Sequence, residues 1–200
     1  MVKRIQDHFS KKAKAEGYPA RSVYKLQEAQ KKYKFLKKGH KVLDLGASPG
    51  SWSKYAASIV GKNGRVIAVD LNPLAHDYPN VTQIKADIYK FPVEELKKIS
   101  ECYDVVLSDM APKTSGRKDV DHLRSISLAE RALEIAVDLL CPGGVFFCKV
   151  FQGGSFDEFR NMCRSRFKSV KIFKPKSSRS QSVEIFLFCS GLKRDGNVEQ

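Results

Sequence analysis

Long apolar runs are missing from this chain: nothing approaches the roughly 20 consecutive apolar residues that cross a bilayer, so no membrane span is expected. The opening stretch MVKRIQDHFSKKAK holds no continuous apolar segment, which argues against a secretory signal. A mitochondrial leader is harder to exclude: Asp7, Glu16 and a shortage of arginine argue against one, and a mitochondrial location stays open for a eukaryotic source. Cysteine is sparse and odd in number: Cys102, Cys141, Cys148, Cys163 and Cys189 form no CxxC pair. The expectation is reduced thiols packed in a cytosolic protein, with no zinc site. Internal repeats and low-complexity linkers are absent as well. Acid is the other shortage, with 22 Asp and Glu against 36 Lys and Arg.

What is present is a chain of 200 residues, 42% of them hydrophobic, enough for one domain with a real core. The net charge of +14 suits a polyanionic partner. That charge is unevenly spread. Residues 1–41 hold thirteen cations and only Asp7, Glu16 and Glu28 as acids, and Arg164 to Arg179 adds seven cations and no acid. Two such clusters can share one surface once the chain folds. Tyr18, Tyr24, Tyr33 and Phe35 lie within the first cluster and are expected mostly in the core, because aromatics bury large areas.

Helical patterning covers residues 4–16 and 21–35, with a turn at Gly17-Tyr18-Pro19. After Gly39 short apolar runs alternate with helices. The candidate strands are Lys41–Leu45, Arg65–Leu71, Val81–Ala86, Asp104–Ser108, Val145–Phe151, Ser169–Phe173 and Val183–Cys189. One amphipathic helix between the fourth and fifth presents Ile126, Ala129, Leu133, Ala136, Val137 and Leu140, and stops at Cys141-Pro142-Gly143-Gly144. This order predicts an α/β fold: a seven-stranded, mostly parallel sheet with helices on both faces. The last two strands, joined only by a loop, are expected to be antiparallel, with Glu184 on an edge hairpin. The chain divides into a basic helical part over 1–38, a sheet over 39–192 and a polar tail over 193–200.

The first strand runs into Asp44-Leu45-Gly46-Ala47-Ser48-Pro49-Gly50-Ser51-Trp52. Glycines at such a strand-to-helix turn let the backbone approach a ligand. The second strand ends at Asp70, where an acid can accept hydrogen bonds from a ribose diol; the third ends at Asp87 and the fourth at Asp109. Any one of these is ordinary turn chemistry. Four successive strand ends are not. The loop reads G-x-x-x-G and lacks the pyrophosphate fingerprint of dehydrogenases. A ligand with a ribose and a base but no phosphate fits, and S-adenosylmethionine is such a ligand.

Lys149 lies inside Val145-Phe146-Phe147-Cys148-Lys149-Val150-Phe151, where an ionisable group is costly unless paired or neutral. Glu184 occupies a similar place in Ser182-Val183-Glu184-Ile185-Phe186. With Lys25 and Asp109 they make two cations and two anions able to neutralise one another in a cleft. Five ordered motifs carry a resemblance: Arg21-Ser22-Val23-Tyr24-Lys25-Leu26, the loop DLGASPGSW, Ser108-Asp109-Met110-Ala111-Pro112, Lys149-Val150-Phe151-Gln152-Gly153, and Lys174-Pro175-Lys176-Ser177-Ser178-Arg179-Ser180 leading to Glu184. Over nearly its whole length the chain resembles the FtsJ (RrmJ) family of ribosomal RNA 2′-O-methyltransferases. The resemblance implies a Rossmann-like S-adenosylmethionine-dependent methyltransferase with a catalytic tetrad at Lys25, Asp109, Lys149 and Glu184. It also implies cofactor contacts at Gly50, Trp52, Asp70, Asp87 and Asp109. Ser48 and Ser51 depart from the Ala and Gly more usual in the loop, and Val183 stands where a basic residue often precedes the glutamate.

In this reading Lys149 acts in its neutral form as the general base, and Asp109 and Glu184 orient the lysines and the hydroxyl. Stabilisation of the developing alkoxide by Lys149 is the alternative. The short form resembles the enzymes that act on a uridine of large-subunit ribosomal RNA, free or in the assembled subunit. A tRNA or mRNA-cap substrate, and a non-catalytic RNA-binding module, are the other readings. A cytoplasmic monomer with no membrane contact and no metal is expected. The charge distribution yields a direct expectation. Replacing Lys11, Lys12 and Lys14 by Ala weakens RNA binding and flattens its salt dependence, because fewer counterions are released. Filter binding across a salt series checks this; an unchanged affinity and slope would place the RNA on another surface.

Overall fold

A computed structural model of the chain describes residues 2–113, 115–179 and 181–193, with side chains from His8 onward. Ser180 and nearly all of the 193–200 tail fall outside the described residues.

Two N-terminal helices, α1 (Val2–Ala15) and α2 (Val23–Tyr33), precede an alternation of strand and helix. It runs β1 (Lys41–Leu45), α3 (Ser51–Val60), β2 (Arg65–Asp70), β3 (Val81–Lys85), α4 (Val93–Ile99), β4 (Tyr103–Ser108), α5 (Lys118–Leu139), β5 (Leu140–Phe151), α6 (Phe156–Arg166), β6 (Phe167–Phe173) and β7 (Glu184–Leu192). All seven strands form one sheet in the order β3-β2-β1-β4-β5-β7-β6. Pairing is parallel from β3 through β5, and β7 runs antiparallel to both neighbours. The β6–β7 hairpin forms one edge of the sheet, with Glu184 on its inner arm: β7 is inserted between β5 and β6, and β6 takes the outermost place. The sequence shows only a hairpin there, and which arm faces inward is decided by pairing with β5.

The central strands are apolar because both faces are covered. Val42, Leu43, Leu45, Val105, Val106, Leu107, Phe146 and Phe147 are fully buried. Edge strand β3 is half-buried with Gln83 and Lys85 exposed, and edge strand β6 carries exposed Lys168 and Lys171, charges that discourage pairing with another chain. One face packs against α4, α5 and α6, with Ile126, Ala129, Leu133 and Ala136 of α5 buried as the periodicity indicates. The other carries α2 and α3 over an aromatic layer in which Phe147 stacks on Phe186 and Trp52. Tyr24 and Phe35 are in the core; Tyr18 and Tyr33 are half-buried.

Two expectations need correction at the start of β5. The helix α5 ends at Leu139 and passes directly into the strand, with the Cys141–Gly144 segment looped out of the ladder between the pairs Tyr103↔Leu140 and Val105↔Val145. Gly143, at φ +78, permits that excursion. The same excursion brings Cys141 to Cys102, and the two form a disulfide, so only Cys148, Cys163 and Cys189 are buried free thiols. A separation of 39 residues without a CxxC spacing hides such a pair from the sequence. Among the described residues no helix is long and apolar enough to cross a membrane.

Candidate active site

The strand order reverses between β1 and β4, and a cavity of about 540 Å³ opens there at the carboxyl ends of the strands. Gly46 and Ser48 after β1, Asp70 and Leu71 at β2, Asp87 and Tyr89 after β3, and Asp109 and Met110 after β4 line it. Gly46 (φ +74) is required twice over: its backbone conformation is left-handed, and a Cβ there would sit 2.5 Å from the Met110 side chain. Asp70 is held by two backbone donors, Ser48 N–H at 3.0 Å and Asn72 N–H at 2.8 Å. A carboxylate offers about four acceptor sites, so capacity remains for hydroxyl donors. Asp87 accepts from Tyr89 N–H at 3.0 Å.

Of the five residues expected to touch a cofactor, Asp70, Asp87 and Asp109 line this cavity, and Gly50 and Trp52 do not. Trp52 is 2% exposed, within the aromatic layer, and its Nε1 donates to Ser22 O at 2.8 Å. It braces the loop against the N-terminus of α2. Both loop serines have partners: Ser51 Oγ accepts from Ala20 N–H, and Ser48 Oγ donates to Pro73 O. Leu71 and Tyr89 also line the cavity, and no local pattern marks them, because only the fold sets their exposure.

Lys25, Asp109, Lys149 and Glu184 come together as two adjacent ion pairs. Lys149 Nζ is 2.8 Å from Asp109 Oδ1 and donates also to the Asp109 carbonyl at 2.6 Å, with its side chain only 6% exposed. Lys25 Nζ, reaching in from α2, is 2.7 Å from Glu184 Oε1, which also accepts from Ser178 Oγ at 2.9 Å. The register Lys149↔Phe186 and Phe151↔Glu184 puts Lys149 and Glu184 diagonally on one face of the β5–β7 pair. Burial raises the Glu184 carboxyl, but Lys25, Ser178 and Lys149 outweigh it and hold the group below the usual carboxylate range. Lys174 donates to Glu184 O at 2.7 Å. Burial and then Lys25 lower its ammonium, against the pull of Glu184. Among the described residues no cluster of His, Cys, Asp or Glu is placed to hold a metal ion.

The two basic clusters meet beside this group. Glu28 of α2 accepts from Lys176 N–H at 2.7 Å and Ser177 N–H at 2.9 Å, and Arg21 donates to Ser177 O at 3.2 Å. Lys25 is thereby fixed against the segment that carries Ser178.

Asp44, beneath the glycine loop, is fully buried; Ser53 Oγ donates to its Oδ2 at 2.6 Å, and its Oδ1 has no donor among the described residues. Burial pushes its carboxyl up to about 7; the Ser53 hydroxyl opposes the rise, and the charges of Asp109 and Asp70 add to it. Between about pH 4 and 7 the folded protein therefore keeps a proton that the unfolded chain has released, so stability falls as pH rises through that window. Asp44→Asn removes this slope, and its melting temperature gains on wild type from about pH 5 to about pH 8. A difference that stays constant with pH would show that Asp44 is ionised throughout in the folded state.

The FtsJ-like methyltransferase family model matches residues 18–192. A ribosomal RNA large subunit methyltransferase E from Desulfatibacillum aliphaticivorans is 52% identical over 183 residues, 91% of this chain and 88% of its own length. The protein of the same name from Desulforapulum autotrophicum is 49% identical over 188 residues, 94% of this chain and 93% of its own. Among solved structures, a ribosomal RNA methyltransferase from Plasmodium falciparum matches at a TM-score of 0.77 and 31% identity, covering 88% of this chain and 98% of that one. Fold, strand-end cavity, paired tetrad and these matches agree that the chain belongs to the FtsJ-like methyltransferase family.

Proposed function

We propose that this methyltransferase moves the methyl group of S-adenosylmethionine to a ribose 2′-hydroxyl of large-subunit ribosomal RNA, with a uridine as acceptor. The observation that carries the reading is the pair of ion pairs, Lys149–Asp109 and Lys25–Glu184, beside the strand-end cavity. The names of the relatives at 52% and 49% identity support the large subunit as substrate.

The residues present suit the cofactor. Asp70 has acceptor capacity for a ribose diol, and Leu71 and Tyr89 supply apolar surface for a base. Asp70 and Asp87, the two lining carboxylates outside the tetrad, favour a cationic ligand. When bound, the cofactor supplies an activated methyl group on a sulfonium.

The protein's tasks are to align the acceptor oxygen and to take its proton. Holding both partners in place is worth roughly 7–11 kcal/mol on the effective-molarity scale. In this reading Lys149 first releases its ion-pair proton to solvent, then as the free amine accepts the proton of the 2′-hydroxyl, and the restored ammonium is received by Asp109 Oδ1 and O. Asp109 fixes the direction in which the Lys149 amine points. Glu184, held anionic by Lys25 and Ser178, offers its free acceptor capacity to the incoming ribose. The joined basic segments around Arg21 and Lys176 attract the phosphate backbone without reading sequence.

The test is methyl transfer from labelled S-adenosylmethionine to total RNA from a strain lacking the enzyme, followed by mapping of the modified nucleotide. The expected product is one 2′-O-methyluridine in large-subunit RNA, and Asp70→Ala weakens cofactor binding in calorimetry. Label confined to tRNA, to capped mRNA or to a base atom would overturn the proposal.

A further inference from the structure

A second and larger cavity, about 960 Å³, lies on the other side of the tetrad, and nothing in the chemistry above uses it. Its walls are the start of α5, the Gln152–Ser155 turn after β5, and Arg179 with Gln181, Ser182, Val183 and Glu184. The tetrad joins the two spaces: Asp109 lines the strand-end cavity and Glu184 lines this one.

Apolar exposure is concentrated at these two openings. Six large hydrophobic side chains are exposed among the described residues. Leu71 (60%) and Tyr89 (50%) open onto the first cavity, and Leu123 (58%) and Val183 (49%) onto the second. Singly exposed apolar groups are ordinary, but pairs facing each chamber beside a buried ion-pair cluster mark ligand surfaces. Val183 is one of the positions where this chain departs from the basic residue usual in the family.

The second chamber is also built rigidly. His122 takes Ser155 N–H on Nε2 at 3.1 Å, which leaves Nδ1 to donate to Phe151 O at 3.2 Å. Gly153 lies so close to that imidazole that a Cβ would meet the ring at 2.5 Å. The turn is clamped onto α5 before any ligand arrives.

Access imposes the remaining constraint. Lys149 is 6% exposed at its side chain, so a ribose held in a stacked duplex cannot reach it. The acceptor nucleotide has to leave its stack and enter the cleft, and its base then needs a place. We infer that the second cavity receives the unstacked base of the acceptor nucleotide, held between Leu123 and Val183. Gln152 and Gln181 supply amides for its hydrogen-bonding edge, and Lys118 and Arg179 supply cations for the flanking phosphates. The inference rests on the proposed RNA 2′-O-methylation and names the part of the substrate this chamber selects.

Leu123→Ser and Val183→Ser test it, since both side chains are exposed and neither supports the core. Each variant is expected to keep wild-type melting, cofactor binding and overall RNA affinity, the last because phosphate contacts dominate it. Each should lose kcat/KM for RNA by roughly 10–100-fold, the scale of one lost apolar burial. On RNA whose mapped acceptor lacks its base, wild type should fall to the level of the variants and the variants should fall little further. Variants with wild-type kcat/KM, or losses that multiply independently with base removal, would overturn the pocket while leaving RNA methylation standing. Wild-type protein that methylates no RNA would remove the underlying reading and the pocket together.

Discussion

A lysine on a buried central strand has to be neutralised where it stands, and much of this structure follows from that demand. Unpaired charge in such a place costs several kcal/mol, whereas pairing with full hydrogen bonding is tolerable. Asp109, just past the end of β4, meets Lys149 through the parallel β4–β5 register. Glu184 reaches the same face because β7 is inserted antiparallel beside β5, which also moves β6 to the edge. Lys25 then completes the second pair, and α2 must lie over the sheet to deliver it. The clamp from Glu28 to Lys176 and Ser177 holds that helix in place.

The same arrangement organises the solvent-facing chemistry. The tetrad is nearly neutral within itself, so the field outside it is set by what surrounds it. On the strand-end side Asp70 and Asp87 favour a cation. On the α2 side Arg21 and the 174–179 segment favour a polyanion. In the proposed reaction these two fields suit a cationic methyl donor on the one side and a polyanionic acceptor on the other.

How much of this was legible in the sequence depended on contrast. Lys149 and Glu184 stand out because an ionisable group interrupts an apolar strand, and Asp70, Asp87 and Asp109 because they recur at strand ends. Lys25 gives no such signal: it is one cation among thirteen in the first 41 residues, and only the family motif distinguishes it. Asp44, inside the first strand, carries no signal of its own in the sequence, and packing buries it completely. The place of the Trp52 ring in the aromatic layer depends on Phe147 and Phe186, far away in sequence. The Cys102–Cys141 bond and the inner position of β7 are equally products of long-range pairing, which no local pattern records. Leu123 carries no signal in the sequence and Val183 only that of a departure from the family pattern, until the fold sets them at one opening.

The central claim is that Lys149 takes the proton of the acceptor hydroxyl, and the comparison of Lys149→Arg with Lys149→Ala in a single turnover tests it most directly. Guanidinium keeps the positive charge beside Asp109 but does not readily accept a proton. The account predicts that both variants bind cofactor and RNA, and that both lose methyl transfer by about 10²–10⁴-fold, the usual worth of a positioned base. A Lys149→Arg enzyme close to wild-type speed, with Lys149→Ala slow, would contradict it and leave Lys149 as a charge that steadies the alkoxide.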